Sequence, residues 1–311
     1  MVFEPFSRLV GHTADVIKAS ITDMHIVSAS ADTTLKVWDL STQRHMNTLS
    51  AHSGPISDFQ SLQQLIVSAS TDGIKGWDLR QPGHVKITSS GSFSAVSMSA
   101  KIDSQLIFGD FEGNIHFMDL RSGKFQHSLT GHGSTVSSID IAEDGKVFLS
   151  SSIDGTARLW SRENADCLST FASPSRSGCM FGRLLPNCRV TCLFSDSTLR
   201  CWSARDRSAL EFKIVNLPLG KSAKNFEFDN GLLVVPTNQG GIQFLNHSGN
   251  VHYSSIKVHS DDVSHVEISG NAMVSTGYGV DSSIVLWKRG ISEIDQDCIM
   301  FSEVFPQIVG L

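Results

Sequence analysis

The sequence predicts an all-β fold assembled from seven copies of one small sheet. Two observations carry this prediction: a motif that returns at an almost constant interval, and short runs of alternating apolar residues bounded by Asp, Gly and Ser. Apolar residues make up 40% of the 311 residues, which is enough for a substantial core. Because one four-stranded sheet cannot bury both of its faces, such copies become stable by packing against one another.

The repeated motif is a short apolar segment, a tight turn and a second apolar segment that ends at a tryptophan. Two of the copies carry another apolar residue in place of the tryptophan. The seven anchor positions are Trp38, Trp77, Met118, Trp160, Trp202, Leu245 and Trp287, and the successive intervals are 39, 41, 42, 42, 43 and 42 residues. So even a spacing predicts seven structural units.

A histidine, often after glycine, precedes the strongest copies. The histidines are His12, His52, His132 and His259, which precede their tryptophans by 26, 25, 28 and 28 residues. Together the two motifs resemble the WD40 repeat family, whose units carry Gly-His and Trp-Asp signatures about 40–45 residues apart. The resemblance covers roughly residues 3–288. It implies a seven-bladed WD40 β-propeller, which is a closed ring of four-stranded sheets.

The first unit shows the pattern of strands that each copy repeats. Alternating apolar residues and intervening turn residues predict strands over Val16–Ile21, His25–Ser30, Leu35–Asp39 and His45–Leu49. We expect one domain over residues 1–290, with approximate units 11–50, 51–90, 91–130, 131–172, 173–216, 217–258 and 259–288 plus 3–10, followed by a tail over 291–311 that packs on the rim or on a partner.

The last unit needs a fourth strand from elsewhere in the chain. Phe3–Val10 ends in Leu-Val just before the first Gly-His, and a leucine likewise stands three residues before the histidine in other units. We therefore predict that Phe3–Val10 pairs beside Ser283–Trp287. The competitor for this position is the apolar tail segment Cys298–Phe305. A ring closed by its own terminus resists fraying, because opening it breaks a full strand pairing.

Histidine, serine, aspartate and tryptophan recur together in four units. This list admits a hydrolase with a Ser-His-Asp triad, but an active site normally occurs once, and the resemblance implies a structural hydrogen-bond network in each blade. The predicted members are His12, Ser30, Asp32 and Trp38; His52, Ser70, Asp72 and Trp77; His132, Ser152, Asp154 and Trp160; and His259, Asp281 and Trp287, with Ser275 or Thr276 completing the last set.

Composition and motifs argue against several classes of ligand and location. The formal net charge of −6 argues against a broad nucleic-acid or anionic-membrane footprint. No apolar stretch reaches the roughly 18–20 residues of a membrane span, and Glu4 and Pro5 interrupt any secretory signal. We therefore expect an intracellular protein, cytoplasmic or nuclear. The cysteines at 179, 188, 192 and 201 lack CxxC spacing, so we predict buried thiols, no metal and no cofactor.

Without motifs for catalysis, the expected function is recognition of other proteins. We predict a scaffold or adaptor subunit, a monomeric propeller within a hetero-complex, that binds partners through the top face and rim. Candidate aromatic contacts are Phe111, interpreted as an extra residue inserted into a tight turn, and Tyr278; either ring could instead pack in its own blade. Candidate charged contacts, which could also be ordinary solvated loop residues, are Asp15, Asp261 and Asp262 on one sector and Arg176, Lys221 and Lys224 on another.

One short motif suggests a more specific alternative. Trp77-Asp-Leu-Arg80 looks like the WDxR box with which some WD40 substrate receptors dock on a cullin-4 ligase adaptor, and Arg80 would carry that contact. The segment before Trp77 is one residue short of the family pattern, and Met118-Asp-Leu-Arg121 partly echoes it. A hydrolase that uses one of the repeat histidines is the second alternative.

Overall fold

A computed structural model provides the structure of the chain. It describes residues 3–50, 52–62, 65–80, 85–88, 97–99, 105–185, 189–204, 210–214, 217, 219, 223–229, 232–245 and 251–289. This part of the chain forms 28 β-strands in seven four-stranded antiparallel sheets, and it contains no helix. In consequence, no helix among these residues could cross a membrane. The predicted fold class, an all-β seven-bladed β-propeller, is confirmed.

The sheets are numbered by the repeat that supplies them, and their strands are named a to d in spatial order. The chain divides into two compact units, Met1–Thr48 with Leu217–Leu311, and Leu49–Asn216. The first unit holds sheets 6, 7 and 1, apart from Leu49, and the second holds sheets 2 to 5.

The strands of the first unit belong to three sheets. Sheet 1 contains β2 (Val16–Ile21), β3 (His25–Ser30), β4 (Leu35–Asp39) and β5 (His45–Leu49). Sheet 6 contains β22 (Glu227–Asp229), β23 (Leu232–Pro236), β24 (Gly241–Leu245) and β25 (Val251–Lys257). Sheet 7 contains β26 (Val263–Ser269), β27 (Ala272–Gly277), β28 (Ser283–Arg289) and, as strand d, β1 (Phe3–Val10).

The strands of the second unit belong to four sheets. Sheet 2 contains β6 (Ile56–Leu62), β7 (Leu65–Ser70), β8 (Gly73–Asp78) and β9 (Val85–Thr88). Sheet 3 contains β10 (Ser97–Ser99), β11 (Gln105–Gly109), β12 (Ile115–Asp119) and β13 (Lys124–Leu129). Sheet 4 contains β14 (Val136–Ile141), β15 (Val147–Ser152), β16 (Thr156–Ser161) and β17 (Cys167–Ala172). Sheet 5 contains β18 (Cys179–Leu185), β19 (Arg189–Phe194), β20 (Leu199–Ser203) and β21 (Leu210–Ile214).

The N-terminal strand takes the last place in sheet 7, as the sequence predicts. β1 runs antiparallel to β28, from the pair Phe3 and Arg289 at one end to the pair Val10 and Ser283 at the other. Phe3 is fully buried against Trp287 and the rest of the core between sheets 6 and 7. The competing tail segment Cys298–Phe305 lies outside the described residues.

Within each unit, the apolar core lies between neighbouring sheets. Sheets 7 and 1 share a cluster that includes Val16, Trp38 and Ile284, and sheets 3 and 4 share one that includes Phe117 and Trp160. Because both faces of a sheet are covered in this way, the b strands contain nearly continuous buried residues rather than a simple alternation.

Candidate functional site

The predicted hydrogen-bond network is most simply seen in sheet 1. His12 lies in the leading loop, which is the segment before strand a, and its Nδ1 is 2.8 Å from Asp32 Oδ2 in the turn between strands b and c. His12 Nε2 is 2.8 Å from the Oγ of Ser28 on strand b. The indole Nε1 of Trp38, on strand c, donates to the same Oγ at 3.0 Å. The network therefore ties a loop, a turn and two strands together.

The donors available determine the tautomer of the histidine. The indole N–H of Trp38 can only donate, so Ser28 Oγ accepts it and points its own proton at His12 Nε2. His12 then carries its proton on Nδ1 and donates it to Asp32. Every polar atom of the network is thus satisfied with a neutral imidazole and an ionised carboxylate.

Three other sheets repeat the same arrangement. In sheet 2 the distances are 2.5 Å for His52 to Asp72, 2.7 Å for His52 to Ser68 and 2.8 Å for Trp77 to Ser68. In sheet 4 they are 3.0 Å for His132 to Asp154, 2.7 Å for His132 to Ser150 and 2.8 Å for Trp160 to Ser150. In sheet 7 they are 3.1 Å for His259 to Asp281, 2.9 Å for His259 to Ser275 and 2.9 Å for Trp287 to Ser275.

The structure corrects the predicted serines. The bridging hydroxyls belong to Ser28, Ser68 and Ser150, and not to Ser30, Ser70 and Ser152. Trp38 pairs directly with Ile26, two residues before Ser28, so its indole reaches Ser28 but not the serine two residues further along. Ser30 Oγ instead donates to the carbonyl of Ala14 and accepts from the backbone amide of Asp32.

The glycine before the histidine has a packing role. A Cβ on Gly11 would lie 3.0 Å from the Trp38 ring, and one on Gly131 would lie 2.8 Å from the Trp160 ring. In sheets 1 and 4, glycine therefore lets the loop that carries the histidine lie directly on the tryptophan.

Burial and hydrogen bonding stabilise the neutral histidine and the ionised aspartate. Burial lowers the pKa of His12, His52 and His132 below the ordinary value of 6.5, although the facing aspartates oppose this. For Asp32, burial alone would raise the pKa, but hydrogen bonds from Thr34, His12 and the Thr13 amide outweigh it and lower the pKa to about 2.

These pKa shifts predict a loss of stability in weak acid. Because the three histidines have lowered pKa values in the folded state, the unfolded chain binds more protons as the pH falls through 6.5. We expect the thermal midpoint, followed by circular dichroism, to fall between about pH 7.5 and about pH 5.5. As the pH approaches the isoelectric point near 6.0, weaker charge repulsion would by itself raise the thermal midpoint. An unchanged or rising midpoint would therefore contradict this interpretation.

The same geometry leaves little room for a hydrolase. The bridging serines are completely buried, and each hydroxyl is already shared between an imidazole and an indole. A nucleophile must instead reach a substrate. Among the described residues, no group of three or more His, Cys, Asp or Glu side chains could hold a metal ion. Cys179, Cys192 and Cys201 are buried free thiols, and Cys188 lies outside the described residues.

Sheet 3 contains a substitute network that the repeat motif does not predict. His116, on strand c, places its Nε2 3.0 Å from Asp110 Oδ2 and its Nδ1 2.7 Å from Ser128 Oγ. In sheet 5, Ser175 takes the role of the loop histidine and donates to Asp196 at 2.6 Å. A signal was present in sheet 3, where the turn aspartate is displaced and a histidine appears six residues later.

The structure also corrects the interpretation of Phe111. The turn between the paired residues Gly109 and Ile115 has the same five-residue length as the turn between Ala29 and Leu35, so Phe111 is not an insertion. It occupies the second turn position, which is Ala31 in sheet 1, Ile153 in sheet 4 and Ser195 in sheet 5. The left-handed fourth position confirms this register, at Thr33, Gly113, Gly155 and Ser197.

The candidate acidic residues come together with Tyr278. The backbone amide of Tyr278 donates to the carbonyl of Asp262, and Gly279 N donates to Asp15 Oδ1 at 2.8 Å. Asp261 packs against Gly279, and Asp15, Asp261, Asp262 and Tyr278 are all half-buried. Tyr278 therefore occupies the second turn position of sheet 7, beside carboxylates of two leading loops.

The candidate basic residues are placed separately. Arg176 is exposed in the leading loop of sheet 5, and Lys224 is exposed in the leading loop of sheet 6, so they belong to different units. Lys221 lies outside the described residues. Arg80 follows strand c of sheet 2 and forms a bidentate pair with Asp78, with Nε–Oδ1 and Nη2–Oδ2 distances of 3.0 and 2.8 Å.

Comparison with known proteins agrees with this geometry. The family model "WD domain, G-beta repeat" matches residues 3–39 and 123–161. Autophagy-related protein 16 of Arabidopsis thaliana is 26% identical over 197 residues, covering 60% of this chain and 37% of that protein. The THO complex subunit 6 homolog of Danio rerio is 27% identical over 171 residues, covering 50% of this chain and 51% of that protein.

Two further similarities extend the comparison. Eukaryotic translation initiation factor 3 subunit I of Culex quinquefasciatus is 26% identical over 181 residues, covering 52% of this chain and 55% of that protein. The matches thus span between about a third and somewhat over half of these relatives' lengths. The computationally designed Ika8 protein superposes with a TM-score of 0.72 at 18% identity, over 90% of this chain and 98% of that one, which shows a shared fold.

Repeat spacing, the buried His–Ser–Trp bridges, the seven four-stranded sheets and the matched family model all lead to one assignment. The chain is built from WD40-type repeats, and the segments 3–39 and 123–161 match the family model directly.

Proposed function

We propose that this protein is a non-catalytic scaffold or adaptor subunit that binds protein segments on the top face of its propeller, within an intracellular multiprotein complex. One observation carries the proposal: a ridge of two large apolar side chains, Phe111 and Ile153, with Thr135 between them. We refer to these three residues as the apolar ridge. All three belong to the second unit.

Hydrogen bonds join the apolar ridge into one surface. The hydroxyl of Thr135 donates to the carbonyl of Phe111 at 3.1 Å, and the amide of Ile153 donates to the carbonyl of Thr135 at 3.0 Å. Phe111 and Ile153 therefore occupy equivalent turn positions of adjacent sheets and are bridged by the loop that separates them.

The side chains of the apolar ridge are exposed, as a binding site requires. Packing within the protein does not explain why large apolar residues stand there. Phe111 is 52% exposed and Ile153 is 42% exposed, whereas the equivalent positions in sheets 1 and 5 are Ala31 and Ser195. Large apolar anchors on a rigid frame carry a disproportionate share of interface energy. Neither side chain is needed by the hydrogen-bond networks below it.

The names of the relatives support an adaptor role. The THO complex subunit 6 homolog and eukaryotic translation initiation factor 3 subunit I are, by name, subunits of multiprotein assemblies. The similarity spans about half of each of these relatives, and it supports a role as a subunit of a protein complex.

A comparative purification tests the proposal. We expect the double variant Phe111→Ser and Ile153→Ser to recover at least one specific partner about tenfold less well than wild type, which corresponds to roughly 1.4 kcal/mol. The measurement is affinity purification with quantitative mass spectrometry. Met24→Ser, which changes an even more exposed apolar side chain in a turn of sheet 1, is the matched control. Unchanged recovery of every partner by a folded double variant would contradict the proposal.

Docking on a cullin-4 ligase adaptor is the second candidate function. The observation in its favour is that the Arg80 side chain is 66% exposed while Asp78 holds its guanidinium in place. The same purification includes Arg80→Ala. Selective loss of the ligase adaptor from this variant supports the candidate, and equal recovery of the adaptor, or its absence from the wild-type sample, removes it.

A further inference from the structure

Sheet 7 borders a cleft that the proposed function does not use. It has a volume of about 480 Å³ and lies between strand d of sheet 7, the end of strand d of sheet 6 and the turn between strands b and c of sheet 7. Its lining includes Arg8, Val10, Lys257, Val258, Val280 and Asp281, all in the first unit. We refer to it as the sheet-7 cleft.

Three of the ten residues that line the sheet-7 cleft are valines, and two of these are unusually exposed. Val280 is 91% exposed and Val10 is 68% exposed, and both line the cleft together with the half-buried Val258. Val280 lies in the only b–c turn among the described sheets that is longer than five residues between paired strand ends. Two exposed valines beside a concave surface are typical of a binding site for a short apolar segment.

The cleft also carries a net positive charge. The guanidinium of Arg8 is already bonded to Asp281, to Ser283 and to the carbonyl of Val258. Lys257 also lines the cleft and is exposed, and its amine has no ion-pair partner among the described residues. An occupant of the cleft should therefore carry both apolar side chains and at least one carboxylate.

The C-terminal tail of this chain has that chemistry. Residues 290–311 contain Glu293, Asp295, Asp297 and Glu303 and no lysine, arginine or histidine. Glu303 lies inside the apolar segment Cys298–Phe305, between Phe301 and Val304. The tail is thus opposite in charge to Lys257 and similar in polarity to the valine walls.

The tail is long enough to reach the cleft. The described chain stops at Arg289, which pairs with Phe3, whereas Val10 beside the cleft is at the other end of the same eight-residue strand. That strand spans about 25 Å at roughly 3.3 Å per residue. Glu303 is 14 residues beyond Arg289 and can extend about 45 Å.

We propose that the segment Cys298–Phe305 of this chain docks in the sheet-7 cleft, with its apolar side chains against Val10 and Val280 and Glu303 paired with Lys257. The tether raises the local concentration of the segment to the millimolar range, so weak contacts suffice for docking. The ion pair selects the position of the segment, and burial of the valines supplies most of the affinity. The docked tail would cover the outer edge of the joint between β1 and β28.

A charge exchange in the full-length protein tests the proposal by hydrogen exchange with mass spectrometry. We expect exchange of the amides of 298–305 to be slowed in wild type and about twofold to fivefold faster in Lys257→Glu and in Glu303→Lys, the range for one exposed ion pair. The double variant should restore the wild-type rate. Lys288→Glu, an exposed lysine on β28 outside the cleft, is the control for net charge.

Two results would overturn the proposal. One is exchange of 298–305 at the rate of an unstructured peptide in wild type. The other is slowed exchange that neither single variant alters, which would place the segment elsewhere. Thermal midpoints near that of wild type establish that the exposed-site variants remain folded. The apolar contribution is measured with Val280→Ser, which should accelerate the same amides without changing any charge.

Discussion

Replacing Trp160 with alanine should reduce the free energy of unfolding by about 3–5 kcal/mol, the usual range when a large buried ring is removed. Trp160 is 4% exposed and lies in the cluster that joins sheets 3 and 4, where it stacks on Phe148 with ring centroids 6.2 Å apart. Its loss leaves a cavity between two sheets, and it also removes the indole donor to Ser150. Chemical denaturation followed by far-ultraviolet circular dichroism measures the change.

The phenylalanine variant separates these two contributions. Trp160→Phe keeps an aromatic ring against Phe148 but cannot donate to Ser150, so we expect a loss of about 1–2 kcal/mol. If alanine and phenylalanine lower the stability by the same amount, the cavity is not the main cost. If both remain within about 0.5 kcal/mol of wild type, the ring does not stabilise this part of the core.

The strand pattern could be predicted because its signals are local. In sheet 1 all four predicted strands, Val16–Ile21, His25–Ser30, Leu35–Asp39 and His45–Leu49, agree with the observed bounds. Alternating apolar residues mark the strands, and Asp, Thr and Gln residues in the turns end them. The N-terminal strand is predictable for the same reason, because Leu9 stands three residues before His12 as Leu49 and Leu129 stand before His52 and His132.

The bridging serine could not be identified from the sequence alone. Ser28 and Ser30 have side chains on the same face of one strand, because residues two apart point to the same side. Which of them meets the indole depends on the pairing of Ile26 with Trp38, and that register belongs to a neighbouring strand. Both serines match a repeat motif equally well, but only Ser28 lies within hydrogen-bonding distance of His12 Nε2.

The substitute network in sheet 3 shows the same limit. Asp110 stands two positions before the usual turn aspartate, so its carboxylate reaches across to His116 on strand c. The position of His116 is occupied by Lys36 in sheet 1 and Lys75 in sheet 2, where Lys75 also pairs with its turn aspartate. In sheets 2 and 3, a side chain at this position of strand c therefore bonds the turn aspartate, and in sheet 3 it does so where the usual loop histidine is replaced.

In sheet 7, the side chain that bonds the turn aspartate Asp281 comes from the N-terminal strand. Arg8 pairs in register with Val285, which occupies the position of Lys75 in sheet 2. Its guanidinium lies 3.2 Å from Asp281 Oδ2, and the same oxygen accepts hydrogen bonds from His259 and from the Ser260 amide. Asp281 is therefore the common acceptor that joins the N-terminal strand to the buried network of the last sheet.

Substituting Asp281 with alanine should lower the free energy of unfolding by about 3–5 kcal/mol, because several buried donors lose their shared acceptor and each stranded donor costs about 1–3 kcal/mol. Burial by itself would raise the pKa of Asp281, but hydrogen bonds from His259, Ser283 and the Ser260 amide outweigh it and hold the pKa far below its ordinary value. The alanine variant leaves the buried Nδ1–H of His259 without an acceptor and deprives Arg8 of its carboxylate.

The location of the damage distinguishes this prediction from general destabilisation. Because Arg8 holds β1 to Asp281, hydrogen exchange in Asp281→Ala should accelerate most at the amides of Phe3–Val10 and Ser283–Arg289. Asp23→Ala, which removes an exposed carboxylate from a turn of sheet 1, should leave both stability and exchange near wild type. Equal acceleration in all three sheets of the first unit would show that Asp281 does not act through the N-terminal strand, and a near-wild-type midpoint would show that the His259 network is dispensable.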